Sequence, residues 1–315
     1  MNTPQEELPV VGPEGHRYRW HNRWAVIPDT PSGRNNGRTH GVAVLSDGRV
    51  VVFCQAVPGV LFFGPDGSLV DSWGDRFVGA HGLAVTRRHG EEQLWLVDQE
   101  SCEVARVSLS GQTLQRLDPP PLDQRVHGRY MPTWAQQHPE TGEVWVVDGY
   151  GGSGLYRHAE DGAYLGRLTG EEGAGAFSCC HGIEVGPEGN FHVADRGNQR
   201  LAVYDPEGKF VSSLDGVCHS PCGMDFHGGL TLVPELMTGV KLLDAEGGVV
   251  ADLGVDPEIV DQDRRPKGWP DHREPAEVPA GLFNSPHDAC FAPNGDIYVV
   301  EWILRGGRVT KLEKV

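Results

Sequence analysis

No run of apolar residues in this sequence approaches the roughly 18 that a membrane-spanning helix needs. Helical stretches rich in Ala, Leu and Lys are almost absent. Positive charge is scarce: 27 Lys and Arg stand against 44 Asp and Glu, a formal net charge of −17. Nucleic acid and anionic membrane surfaces both call for the opposite sign, so neither is an expected partner. The opening MNTPQEELPVVGPEGH has no basic n-region and no apolar h-region, so no secretory leader is expected. The seven cysteines include no C-x-x-C pair, which fits reduced thiols and a cytoplasmic location. There is no G-x-S-x-G elbow and no H-E-x-x-H helix. The glycines around Tyr150 open no helix, so they are not a phosphate loop.

What the sequence has is turn residues, with 43 Gly and 23 Pro. Six units align on Asp-Gly, Glu-Gly, Asn-Gly or a related turn, opening at His40, His81, Thr133, His181, Cys222 and His287. HGIEVGPEGNFHVAD is followed by RLAVYDPEGKFVSSLDG, which gives four short strands in one unit. That pattern predicts an all-β, six-bladed β-propeller forming a single domain over residues 1–315. The last unit ends after its third strand, RVTKLEKV, while the N-terminal YRWHNRWAVIP has no unit of its own. It is expected to supply the missing strand and close the ring, behind a flexible N-terminus over 1–15. Residues 254–280 are polar and Pro-rich, and they read as a long loop inserted before blade six, either plain surface or a lid over the axial mouth.

The innermost strand of a propeller blade lines the central channel, so equivalent first residues form a ring around the axis. Histidines on blades two, four and six (His81, His181 and His287) then converge on one axial point. Three imidazoles with an open position are the pattern of a catalytic divalent metal, zinc or another first-row ion. A histidine before glycine can also cap a turn, as Thr133 does at its own position. His40 is open between fourth ligand, substrate contact and rim residue. A second ring lies just after strand two and includes Tyr150, Arg196 and Glu301. Tyr150 is a candidate proton-transfer phenol and Arg196 a candidate anion clamp. Asp148 and Asp195 read as turn ties with which an Arg can pair.

The repeat HGIEVGPEGNFHVADRGNQRLAVYDPEGKFVSSL resembles the NHL repeat, which builds six-bladed propellers. Three blocks, PTWAQQHPETGEVWVVDGYGGSGLYRHAEDG, HGIEVGPEGNFHVADRGNQR and SPHDACFAPNGDIYVVEW, resemble the peptidyl-α-hydroxyglycine α-amidating lyases more closely. The resemblance implies a zinc-type site at His81, His181 and His287, roles in the reaction for Tyr150 and Arg196, and a structural calcium contact at Asp288. It departs from that family in blade one, where Cys54 and Gln55 stand in place of an arginine and His40 is added. It departs again at Gly151, where the family has a paired cysteine. A retained site with a changed substrate is the expectation.

The leading expectation is therefore a metal-dependent lyase that cleaves the C–N bond of a small, anionic, carbinolamide-like substrate at the axial mouth. A hydrolase could use the same three histidines. An NHL module binding a protein or peptide would not require them. A lactonase-like hydrolase would hold an axial calcium mainly with Glu, Asp and Asn.

Overall fold

Val50–Cys54 is buried at all five positions, although strand residues alternate between two faces. Both faces are covered. Val50, Val52 and Cys54 pack with Tyr298, Val300 and Val309 of the sixth sheet, while Val51 and Phe53 pack with Leu83, Leu94 and Leu96 of the second. Each sheet is thus a blade held between two neighbours, and its central strands read as continuous apolar runs.

The computed structural model describes residues 8–237, 239–261, 267 and 273–315. Six antiparallel sheets follow one another around a channel. Blade one comprises Thr39–Val44, Val50–Cys54, Val60–Phe63 and Leu69–Trp73. The inner two strands are Ala80–Arg88 and Glu91–Asp98 in blade two, and Trp134–Gln137 and Val144–Asp148 in blade three. They are Cys180–Val185 and Phe191–Asp195 in blade four, and Asp225–His227 and Leu230–Glu235 in blade five. In blade six they are Pro286–Phe291 and Ile297–Glu301. The inner strand of blade six packs beside that of blade one, which completes the circle.

The closure has the expected form. Tyr18–Ala25 pairs antiparallel with Arg308–Lys314, with Tyr18 opposite Lys314, Trp20 opposite Leu312 and Ala25 opposite Val309. Val10–Val11 adds a short fifth strand inside the segment expected to be flexible. The ring of Trp20 is fully buried, 4.4 Å from Phe283, with the Arg308 guanidinium 5.4 Å from its centroid. Trp20→Ala is expected to cost about 3–5 kcal/mol of stability, the range for truncating a buried aromatic. A urea melt checks this, and a loss below about 1 kcal/mol would mean that the closing strand contributes little.

In the 254–280 insertion, residues 262–266 and 268–272 lie outside the described residues, and the lid expectation lies there with them. Among the described residues, no helix is long and apolar enough to cross a membrane.

Candidate active site

The four ring histidines share a local device. The pairing between first and second strands breaks register between Thr39 and Gly41, Ala80 and Leu83, Cys180 and Ile183, and Pro286 and Asp288. Each break brackets one histidine: His40, His81, His181 or His287. A bulge inserts a residue into one strand and re-aims its side chain, and here it turns an imidazole toward the axis. Blade three, with Thr133, pairs without such a break.

The neighbouring blade then fixes three of the rings. His81 Nδ1 donates to the Thr133 carbonyl at 2.7 Å, His181 Nδ1 to the Cys222 carbonyl at 2.7 Å, and His287 Nδ1 to the His40 carbonyl at 2.8 Å. A carbonyl only accepts, so Nδ1 carries the proton and Nε2 keeps its lone pair. The glycines of the His-Gly pairs allow this approach. A Cβ on Gly82 would lie 2.5 Å from the Thr133 oxygen, and one on Gly182 would lie 2.4 Å from the Cys222 oxygen.

The rings form two triangles that share the His81–His287 edge, 4.9 Å between centroids. His181 stands 4.7 and 4.8 Å from those two on one side, and His40 stands 5.0 and 4.4 Å from them on the other. The possible ligand atoms of His40, His81 and His287 lie within 4.8 Å of one another, so this buried cluster can hold a metal ion. His40 is therefore part of the inner set rather than of the outer rim. Its ring nitrogens have no carbonyl anchor of the kind that holds the other three, and the Gln55 side chain is their polar neighbour. Burial, then like-charge neighbours, holds His40 and His181 well below the usual imidazole range. Burial, with His287 next, does the same for His81, and burial brings His287 down to about 3. Four neutral imidazoles suit a cation.

Tyr150 and Arg196 reach the same point. The Tyr150 hydroxyl lies 3.2 Å from His81 Nε2 and 3.1 Å from His181 Nε2. Both nitrogens are acceptors, and one O–H can satisfy only one of them, so the cluster is one positive donor short. That is the condition a metal ion would meet. Arg196 Nη2 donates to the Tyr150 oxygen at 3.3 Å and to Cys179 Sγ at 3.1 Å, with Cys222 Sγ 3.9 Å from Nη1. Burial raises the Tyr150 phenol, and the Arg196 charge works against that rise. Burial alone would lower the Arg196 pKa, but the Tyr150, Cys222 and Cys179 side chains raise it, so the guanidinium stays charged. The Asp195 carboxylate pairs with Arg200 at 2.7 Å, not with Arg196.

The acid that ends most second strands has a structural task. Asp98 accepts from Gly79 N at 2.8 Å, Asp148 from Met131 N at 2.6 Å and Asp195 from Ser178 N at 2.8 Å. Glu301 belongs to this group. It accepts from Asn284 N at 2.7 Å and pairs with buried Arg308 at 3.2 Å, so the structure places it in a loop lock and not in the mouth.

The mouth is a cleft of about 300 Å³ whose walls include His40, His287, Tyr150, Arg196, Gln99 and Trp302. Further along the channel a second cavity of about 270 Å³ is lined by Glu184, Asp225 and Asp288. Burial raises all three carboxyls, and mutual repulsion adds to the shift of Glu184, which reaches about 8, and of Asp288. Asp288 accepts from Val42 N at 2.8 Å across the blade boundary. Sequence reasoning found Asp288 but missed Glu184 and Asp225. Both stand three residues after a ring position, in HGIE and CGMD, and that shared offset was the available signal. A wider cleft of about 570 Å³ at the ring closure, with Arg23, Arg34, Arg305 and Arg308 among its walls, contains none of the site residues.

Residues 177–204 match the NHL repeat. NHL repeat-containing protein 3 of Mus musculus is 30% identical over 197 residues, 57% of this chain and 55% of that protein. The chain spans about half the length of the relatives it matches. Among solved structures, streptogramin B lyase superposes with a TM-score of 0.61 at 14% identity, covering 95% of this chain and 98% of that one. A structure assigned to the gluconolactonases gives 0.59 at 14% identity, covering 98% and 96%. At these identities the structural likeness is one of fold. The chain thus carries one stretch that matches the NHL repeat, and its closed ring of six sheets is a six-bladed propeller.

Proposed function

We propose that this propeller is a metal-dependent lyase acting on a small anionic carbinolamide of the hydroxyglycine type. The observation that carries the reading is the meeting of two Nε2 acceptors, one phenol and one guanidinium that has no acid partner among the described residues, at a single buried point. His81, His181 and His287 would hold the ion, because each has its Nδ1 anchored on a neighbouring carbonyl, which leaves the Nε2 lone pair for a cation. His40, with no such anchor, would be an auxiliary ligand or a substrate contact. Zinc fits an all-imidazole set, and a hard cation such as calcium fits the carboxyls of Glu184, Asp225 and Asp288. A bound divalent ion would supply Lewis-acid polarisation of a substrate oxygen.

The protein's own residues would do the rest. Arg196 would hold the substrate carboxylate or developing negative charge. Tyr150, as a phenolate stabilised by Arg196, would take the proton of the carbinol hydroxyl. The C–O bond becomes a carbonyl as the C–N bond breaks, and the same proton passes to the departing nitrogen. The products are an aldehyde acid and a primary amide, and no water is consumed. Proteins named lyases occur on this fold, which is compatible with the reading.

The test is to incubate purified protein with an N-acyl-α-hydroxyglycine and follow release of the aldehyde acid. Release above the uncatalysed rate is expected, abolished by chelation and restored by zinc. Turnover of esters or simple amides, with no carbinolamide cleavage, would replace this reading with a hydrolase.

A further inference from the structure

Arg38 sits two residues before His40, and its surroundings differ from those of most arginines in this acidic chain. The guanidinium lies 4.6 Å from the centroid of Trp302, whose ring lines the mouth. Its Nη1 donates to Asn36 Oδ1 at 3.0 Å, and Asn36 Nδ2 in turn donates to Gln55 Oε1 at 2.9 Å. The Arg38 carbonyl accepts from Gln55 N at 2.8 Å, which fixes the backbone. One face and one nitrogen of the guanidinium are thereby held, while the Nε–Nη2 edge has no acceptor among the described residues. Nε is buried and unpaired.

That edge is the side of a guanidinium that grips a carboxylate through two parallel hydrogen bonds. No carboxylate lies within salt-bridge distance of Arg38 among the described residues, and the same is true of Arg196. Arg34, Arg49, Arg157 and Arg200, by contrast, each have an acid at 2.5–2.8 Å. Arg196 lines the mouth, and Arg38 stacks behind it on Trp302, a wall residue of the same cleft. A stacked, pre-oriented guanidinium also loses less freedom on binding than a free surface arginine.

We propose that Arg38, braced by Trp302 and Asn36, is a second anion-binding group, and that the substrate carries two anionic groups, one held by Arg196 and the other by Arg38. The proposal rests on the reading of Arg196 as an anion clamp, and it makes Arg38 a specificity-determining residue. Monoanions would then use the site without engaging the Arg38 edge.

Equilibrium binding of acetate, malonate and succinate, followed by calorimetry and by tryptophan fluorescence, tests this without needing turnover. In the unmodified protein the better-fitting dicarboxylate should bind at least about tenfold tighter than acetate. Arg38→Gln should remove that preference and leave acetate affinity unchanged, and Arg38→Lys should recover only part of it because the bidentate edge is lost. Arg196→Gln should weaken all three probes. A dicarboxylate preference that survives in Arg38→Gln, or no preference in the unmodified protein, overturns the proposal. Unchanged binding in Arg196→Gln overturns the clamp beneath it instead. Matching melting temperatures of the variants exclude a folding defect.

Discussion

Tyr150→Phe protein is expected to turn over a carbinolamide about 10²–10⁴ times more slowly, the span for losing a positioned acid–base group, with its metal content unchanged. The phenylalanine keeps the ring and its edge contact with His81, 5.1 Å between centroids, and removes only the hydroxyl. That hydroxyl lies within hydrogen-bond distance of two ring nitrogens and of Arg196. Burial raises its pKa, so the phenolate depends on nearby positive charge from Arg196 and from a bound ion. Raising the pH should therefore increase the rate of the unmodified protein until the phenol is ionised, and that limb of the profile should vanish in Tyr150→Phe. Unaltered turnover in this variant would remove Tyr150 from the chemistry and make a hydrolase the better reading.

The second large effect concerns the metal. His81 and His287 belong to both imidazole triangles, so His81→Ala and His287→Ala should each reduce bound divalent metal from stoichiometric to near zero. Elemental analysis of the purified variants checks this directly. The remaining two histidines separate the triangles. His181→Ala should lose metal as completely, because His181 is anchored through Nδ1, whereas His40→Ala should retain most of it. The reverse outcome would place the ion in the triangle of His40, His81 and His287. Retention in all four variants would reduce the ring to turn caps. Cavity formation should cost each variant some stability, but the fold should survive, since the blades are held by separate apolar clusters.

Much of this was legible in the sequence because a propeller converts spacing along the chain into angle around an axis. The unit length predicted the blades, and the missing strand of the last unit predicted the closure. The histidines at equal register predicted their convergence. Other features were not legible because they depend on local departures from regular pairing. A bulge leaves no mark in apolar alternation, so the real means of aiming His40, His81, His181 and His287 was hidden. Glu301 follows the same strand-ending pattern as Asp98, but only its bonds to Asn284 and Ser285 show it to be a lock. Arg38 stands two residues before its ring position, and its counterparts there, Gly79 and Ser285, carry no charge, so the repeat gives no sign of it. Its role depends on Trp302, which lies more than 260 positions away in sequence and beside it in space.

The seam between Tyr18–Ala25 and Arg308–Lys314 also sets the order in which the molecule can be completed during synthesis. The first of these strands emerges early and must wait for its blade-six partner while five blades are translated. The sixth blade, which receives it, also delivers His287 and the His287–His40 bond across the same junction. A chain interrupted anywhere before that point has neither a closed circle nor the shared edge of the two imidazole triangles. Occupancy of the histidine cluster would therefore report on finished molecules alone, and a bound ion would act as a clasp that slows the circle's reopening.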